Sequence, residues 1–296
     1  MNVQNAINAS LFVQFVANNW QLQNGTNNNL DNAPVVNPSG APVVLGNTYQ
    51  VDKTIYACDL ATDINPTRPG EGWKTMGIVA RNVADPNEVV VAIRGTLTVW
   101  EWLQDAKFLF KPFTNVAGAG LTEDGFTDMY NSLSFQPAPN GNPFIQDLLG
   151  RLSPNSNVTI TGHSLGGALA TLLALDFAAH SALPLTVFTI ASPRVGDLTF
   201  SRVFDHIVPA CFRIANRIDI VPKTPPPLFY FHVGDETELI PGPDLRWDVG
   251  CEHHLTSYLN MLSKLIGTQA SYPIQPDCKA ESLIAVPTVA SPSVSP

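Results

Sequence analysis

Val158-Thr159-Ile160-Thr161-Gly162-His163-Ser164-Leu165-Gly166-Gly167-Ala168 is the stretch that decides the reading of this chain. Four β-branched residues at 158–161 predict a short strand, and the apolar run from Ala168 to Ala179 predicts a helix. Between them, Gly162-x-Ser164-x-Gly166 turns the chain sharply. The pattern G-x-S-x-G alone is weak, because a chain of this length meets it by chance about once in ten. Set between a strand and a helix, it has the form of a nucleophile elbow. Such a serine stands clear of the sheet, and a side chain at either glycine would clash with the neighbouring strand or helix. The helix N-terminus beneath it adds positive potential where an oxyanion forms. The plain alternative is a glycine-rich turn that happens to contain a serine.

Outward from the elbow, strands and helices alternate. Val89 to Ile93 and Leu185 to Ile190 read as strands, as does Cys211 to Ala215. Residues 49–58 and 73–83 are extended and alternating. Helical spacing marks 3–20, Phe126 to Leu133, Phe200 to His206 and the run Tyr258, Leu259, Leu262, Leu265. This order predicts an α/β fold, a mostly parallel central sheet with helices on both faces. One catalytic domain over 1–279 is expected, followed by a Pro/Ser-rich tail at 280–296. The stretch from Gln21 to Asn47 reads as a long Asn-rich loop.

Composition narrows the function. The chain has 296 residues, 45% hydrophobic and 14% charged, with a net charge of −9. That supports a large core and argues against nucleic acid, which needs clustered Lys and Arg. No apolar run reaches the roughly 18 residues of a transmembrane segment. The first basic residue is Lys53, so the N-terminus does not read as a secretory signal. The four cysteines form no C-x-x-C pair, and no metal or cofactor is expected. Cys211 reads as a buried thiol, and Cys58 with Cys278 as the pair to consider for a disulfide.

A serine nucleophile needs a base, an acid and an oxyanion hole. One oxyanion donor is the N–H after the nucleophile, here Leu165. The other comes from a loop after an earlier strand, and Arg94-Gly95-Thr96 directly follows the strand at 89–93. In this fold the acid follows the serine and the base comes last. Asp219 lies just past the strand 211–215 and is preferred to Asp197, which suits a turn or cap, and to Asp176, which lies inside the elbow helix. His253 and His254 precede the last helix and supply the base. His163 neighbours Ser164 on a tight turn, cannot easily reach its hydroxyl, and reads as a packed histidine.

Together these residues resemble the class 3 (fungal-type) lipase family of the α/β-hydrolase fold. Arg94-Gly95-Thr96, Trp102-Leu103-Gln104-Asp105, Gly125-Phe126, the elbow itself, Ser192 to Asp197 and Asp219-Ile220-Val221-Pro222 all carry the likeness, over roughly 75–265. It supports Asp219 as the acid. It makes Thr96 the oxyanion residue, with Asp105 orienting its hydroxyl. His253-His254-Leu255-Thr256-Ser257-Tyr258 matches the family's His-x-Leu-x-x-Tyr pattern and favours His253, with His254 as second choice. The resemblance implies hydrolysis of acylglycerols or related esters by a secreted enzyme, often at a lipid–water interface, with a lid expected at 97–104. A monomer is expected. A phospholipase A1 or a feruloyl or aryl esterase would use the same parts. A non-catalytic lipase-like binding protein is the alternative of another class. Pro225 to Phe231 offers an apolar wall suited to an acyl chain.

Overall fold

The computed structural model describes residues 1–22, 29–36, 48–58, 72–96, 108–267 and 272–280. The expected lid at 97–104, Asp105 and nearly all of the expected tail lie outside the described residues. Nine strands are described: β1 (Tyr49–Cys58), β2 (Trp73–Asn82), β3 (Glu88–Ile93), β4 (Phe110–Pro112), β5 (Leu121–Glu123), β6 (Asn157–His163), β7 (Leu185–Ile190), β8 (Cys211–Asn216) and β9 (Asp235–Leu239). The helices are α1 (Val3–Leu22), α2 (Asp124–Asn131), α3 (Phe144–Leu149), α4 (Leu165–His180), α5 (Leu198–Ile207), α6 (Val249–His253) and α7 (Leu255–Leu265).

Seven strands form one sheet in the order β1-β2-β3-β6-β7-β8-β9, and β4 pairs with β5 in a separate ribbon. β1, β2 and β3 are antiparallel neighbours, whereas β3, β6, β7, β8 and β9 run parallel. The fold class is α/β-hydrolase, a mostly parallel sheet covered by helices. Side chains alternate across it with period two. Val89, Val91 and Ile93 face one cluster with Val158, Ile160 and the elbow helix α4. Val90 and Ala92 face the other, with α1 and α7.

Helix α4 is buried from Gly166 through Phe177. A helix apolar on all sides needs cover on all sides, and the sheet with α2, α3 and α5 provides it. Parallel strands leave their C-terminal ends along one edge. Thr96 follows β3, Ser164 follows β6 and Asp219 follows β8, so the chain delivers three candidate residues to that edge.

The disulfide joins Cys251 to Cys278, not Cys58 to Cys278. Cys58 is a buried thiol packed with Tyr56 and Trp73 at the far end of the sheet. Cys211 is also a free buried thiol. The bridge spans 27 residues and ties the short helix α6 to the segment at 276–280. Closing a loop of that length stabilises by about 3–4 kcal/mol. Thermal melts with and without reductant should therefore differ by roughly 10 °C. Coincident melts would show that the bridge contributes nothing.

Candidate active site

Ser164 sits between β6 and α4 with φ 58° and ψ −128°. For a residue with a Cβ this left-handed backbone costs on the order of 1–3 kcal/mol and persists only where the surroundings enforce it. The two flanking glycines permit it. A Cβ on Gly162 would stand 2.0 Å from the Gly166 carbonyl oxygen, and one on Gly166 2.3 Å from the Ile93 carbonyl oxygen. No side chain fits at either position, because the bend closes on itself at Gly162 and packs against the end of β3 at Gly166.

Leu165 is the first residue of α4, so its N–H is one of those that a helix leaves without an intrahelical partner. The end of β3 lies against the elbow: a Cβ on Gly95 would be 2.9 Å from Ser164 Cβ. Arg94 fixes this segment. Its Nε donates to the Thr75 carbonyl and its Nη1 to the Gly95 carbonyl, both at 2.7 Å. Its guanidinium lies over the Trp20 ring of α1 at 3.9 Å. Thr96 follows at once, half-buried.

Asp219 is fully buried and accepts three hydrogen bonds. Oδ1 takes the Val221 N–H at 2.9 Å. Oδ2 takes His253 Nδ1 and the Tyr258 hydroxyl, each at 2.7 Å. Tyr258 OH accepts in turn from the Asn216 N–H at 2.9 Å. A carboxylate can only accept, so the imidazole carries its proton on Nδ1 and presents Nε2 as a lone pair. His253 Nε2 and Ser164 Oγ are both buried, and both lack a hydrogen-bond partner among the described residues. No hydrogen bond joins the two in this structure. An unliganded site often leaves that contact loose.

The other candidates have different work. His254 caps α7, with Nδ1 accepting from the Thr256 N–H at 3.2 Å. Asp197 caps α5 by accepting the Phe200 N–H at 2.8 Å. Asp176 accepts from the Tyr130 hydroxyl at 2.6 Å inside the core. Among the described residues no group of three or more His, Cys, Asp or Glu could hold a metal ion.

Burial pushes His163, His232 and His254 toward neutrality. Burial depresses His163, and the nearby His253 and His254 add to it. Burial does the same to His254. Burial, with the guanidiniums of Arg213 and Arg194, pushes His232 down to about 3. A histidine titrates near 6.5 in the unfolded chain. Between about pH 6.5 and 3 the unfolded chain therefore binds a proton at position 232 that the folded chain refuses. Stability should fall as acid is added, by about 1.4 kcal/mol per pH unit at the steepest. Urea midpoints at pH 7 and pH 4.5 measure the drop, and His232→Gln should shrink it. An unchanged drop in that variant would remove His232 from the account.

The sequence matches the model of the family described as Lipase (class 3) over residues 90–229. Among curated proteins it is similar to "Phospholipase A1-II 3" of Oryza sativa subsp. indica, 34% identical over 267 residues, covering 75% of this chain and 63% of that protein. It is also similar to "Phospholipase A1-Igamma2, chloroplastic" of Arabidopsis thaliana, 29% identical, covering 72% of this chain and 52% of that protein. The chain thus spans about half to two thirds of the length of these relatives. Among solved structures, a lipase from Rhizopus microsporus var. chinensis superposes with a TM-score of 0.58 at 24% identity, covering 80% of this chain and 74% of that one. A Rhizomucor miehei lipase propeptide complex gives 0.58 at 23%, covering 79% and 67%. At that identity the two structures speak for the fold alone.

Proposed function

The chain belongs to the class 3 lipase family, and from that premise we propose that it is a serine carboxylic-ester hydrolase acting on acylglycerols through Ser164, His253 and Asp219. The observation that carries the proposal is the pairing of two unspent buried atoms, Ser164 Oγ and His253 Nε2, with an imidazole whose other nitrogen is held by Asp219 at 2.7 Å. His253 Nε2 takes the Ser164 proton as Oγ attacks the ester carbonyl. Negative charge gathers on the carbonyl oxygen, where the N–H groups of Leu165 and Thr96 receive it. The Thr96 hydroxyl adds a third donor. The tetrahedral adduct collapses as His253 returns its proton to the departing alkoxide. Water then enters, gives a proton to His253, and releases the fatty acid from Ser164.

A lipid surface is the natural place for this substrate. Leu109, Leu228 and Phe229 are 56%, 73% and 61% exposed, and Ile220 beside Asp219 is 45% exposed. Tyr230 joins the two apolar segments by stacking on Phe110 at 4.3 Å and donating to the Phe108 carbonyl at 2.9 Å. Leu228 and Phe229 thus stand open to solvent, which favours contact with lipid. The disulfide favours an oxidising compartment, and with it secretion.

Phospholipase A1 activity is the second reading, favoured by the names of the curated relatives. Release of fatty acid from emulsified triacylglycerol, from phosphatidylcholine and from p-nitrophenyl esters of two to sixteen carbons separates the readings. Preference for emulsion and long chains supports a lipase. Faster release from the sn-1 position of phosphatidylcholine supports the second reading. No turnover on any of these substrates would contradict both.

A further inference from the structure

We infer that His163 is a positioning residue for the base: its Nε2–H donates to the His253 backbone carbonyl, tying the segment that carries the base to the strand that carries the nucleophile. The inference rests on the proposed Ser164–His253–Asp219 mechanism and adds one residue to it.

His163 is the last residue of β6 and immediately precedes Ser164. Its Nε2 lies 2.9 Å from the His253 carbonyl oxygen. A carbonyl can only accept, so Nε2 carries the proton and Nδ1 does not. The ring is confined on its other sides. Its centroid is 4.8 Å from that of His253, tilted by 36°, and 6.1 Å from that of Tyr258. Nδ1 is 3.3 Å from the place a Cβ would occupy on Gly95. One imidazole therefore abuts the base, the tyrosine that bonds Asp219, and the strand end that leads to Thr96.

The base needs such an anchor. Helix α6 has five residues, too few to hold its own shape without outside contacts. His253 is its last residue, where a helix leaves its carbonyls without intrahelical partners. Asp248 caps its start locally, and the Cys251 disulfide and Asn216 Nδ2, which donates to the Glu252 carbonyl at 2.9 Å, tie it to distant parts of the chain. His163 supplies the anchor that comes from the nucleophile's own strand. A shift of the elbow thus carries the base with it, and their separation is held. Burial keeps the His163 ring neutral, and the carbonyl acceptor selects the tautomer with its proton on Nε2.

The test compares wild type, His163→Phe, His163→Gln and His253→Ala on a short-chain soluble ester, with thermal melts of each. Phenylalanine keeps the ring and volume but has no donor. Glutamine offers an amide N–H at similar reach. His163→Phe is expected to lose about 10- to 100-fold in kcat with KM within about twofold, and His163→Gln to recover most of it. A residue that merely packs predicts the reverse, with phenylalanine tolerated and the buried amide harmful. Wild-type kcat in His163→Phe would overturn the inference. If that variant does not fold, His163→Gln decides: retained kcat supports the anchor, and a loss of tenfold or more with an unchanged melt overturns it. His253→Ala separates the two levels of the argument. If it stays active the triad mechanism falls and the anchor with it. If it is dead while His163→Phe is unimpaired, only the anchor falls.

Discussion

Replacing Ser164 by alanine is expected to lower ester hydrolysis by about a million-fold. On the proposed mechanism this hydroxyl is the group that bonds covalently to the substrate, and the imidazoles beside it among the described residues offer no substitute. His163 is bound to the His253 carbonyl and His254 to the α7 N-terminus, so neither imidazole activates water in its place. On that mechanism what remains is ester binding and the proposed donors Leu165 and Thr96, together worth about 10³-fold over water. The fold should survive, since alanine fits wherever serine does and Ser164 Oγ bonds to nothing among the described residues. The comparison is kcat/KM on a soluble ester, with circular dichroism to certify the fold. A loss below about a hundredfold would mean that another nucleophile operates.

Asp219→Asn is expected to cost about 10⁴-fold in kcat. The amide differs from the carboxylate by one NH₂ group, and both of its possible orientations fail. With nitrogen at the Oδ2 position, it faces the two donors His253 Nδ1–H and Tyr258 OH, which now reach 2.7 Å to a carboxylate oxygen. The imidazole then moves its proton to Nε2 and can no longer accept one from Ser164. With nitrogen at the Oδ1 position, it faces the Val221 N–H at 2.9 Å and breaks the turn that holds residue 219. In either case the imidazolium of the transition state loses its counter-charge. Steady-state kinetics at neutral pH measure the effect, and a loss under tenfold would show that Asp219 is not the partner of the base.

The parts of this site that were legible in the sequence are those fixed by local chemistry. A β-branched run, two glycines and an apolar run define the elbow whatever surrounds it, so Ser164 could be placed from residues 158–179 alone. Asp219 was legible because a carboxylate just past a strand lies on the edge where the serine emerges. The pair His253-His254 could be narrowed to one only through the family resemblance. Their roles diverge through the chain's turn: residue 254 is extended at the start of α7, which directs its ring to Thr256 and leaves His253 to face Asp219.

What was not legible depends on distant partners. β9 reads Asp235-Glu236-Thr237-Glu238-Leu239, an edge strand mostly turned to solvent, and so lacks the apolar alternation that reveals a strand. Strands β4 and β5 have three residues each, too few to show a period. Disulfide pairing is a matter of distance through space. Cys58 with Cys278 was the pair to consider, but Cys58 lies on β1 beside Trp73 while Cys251 faces Cys278 with Cα atoms 5.1 Å apart. Tyr258 fell on a helical stripe, which predicts burial but not the bond it makes to Asp219. His163 also read as packed, which is true of its ring and silent about its Nε2.

Inactivation by a fluorophosphonate, followed by intact-mass measurement and peptide mapping, tests the central claim most directly. The reagent bonds only to a nucleophile activated by a base and held beside an oxyanion hole. One adduct per chain, mapped to Ser164 and formed in step with loss of ester hydrolysis, is the predicted result. An adduct on a different residue, or full hydrolytic activity in a protein that takes up no adduct, would contradict it.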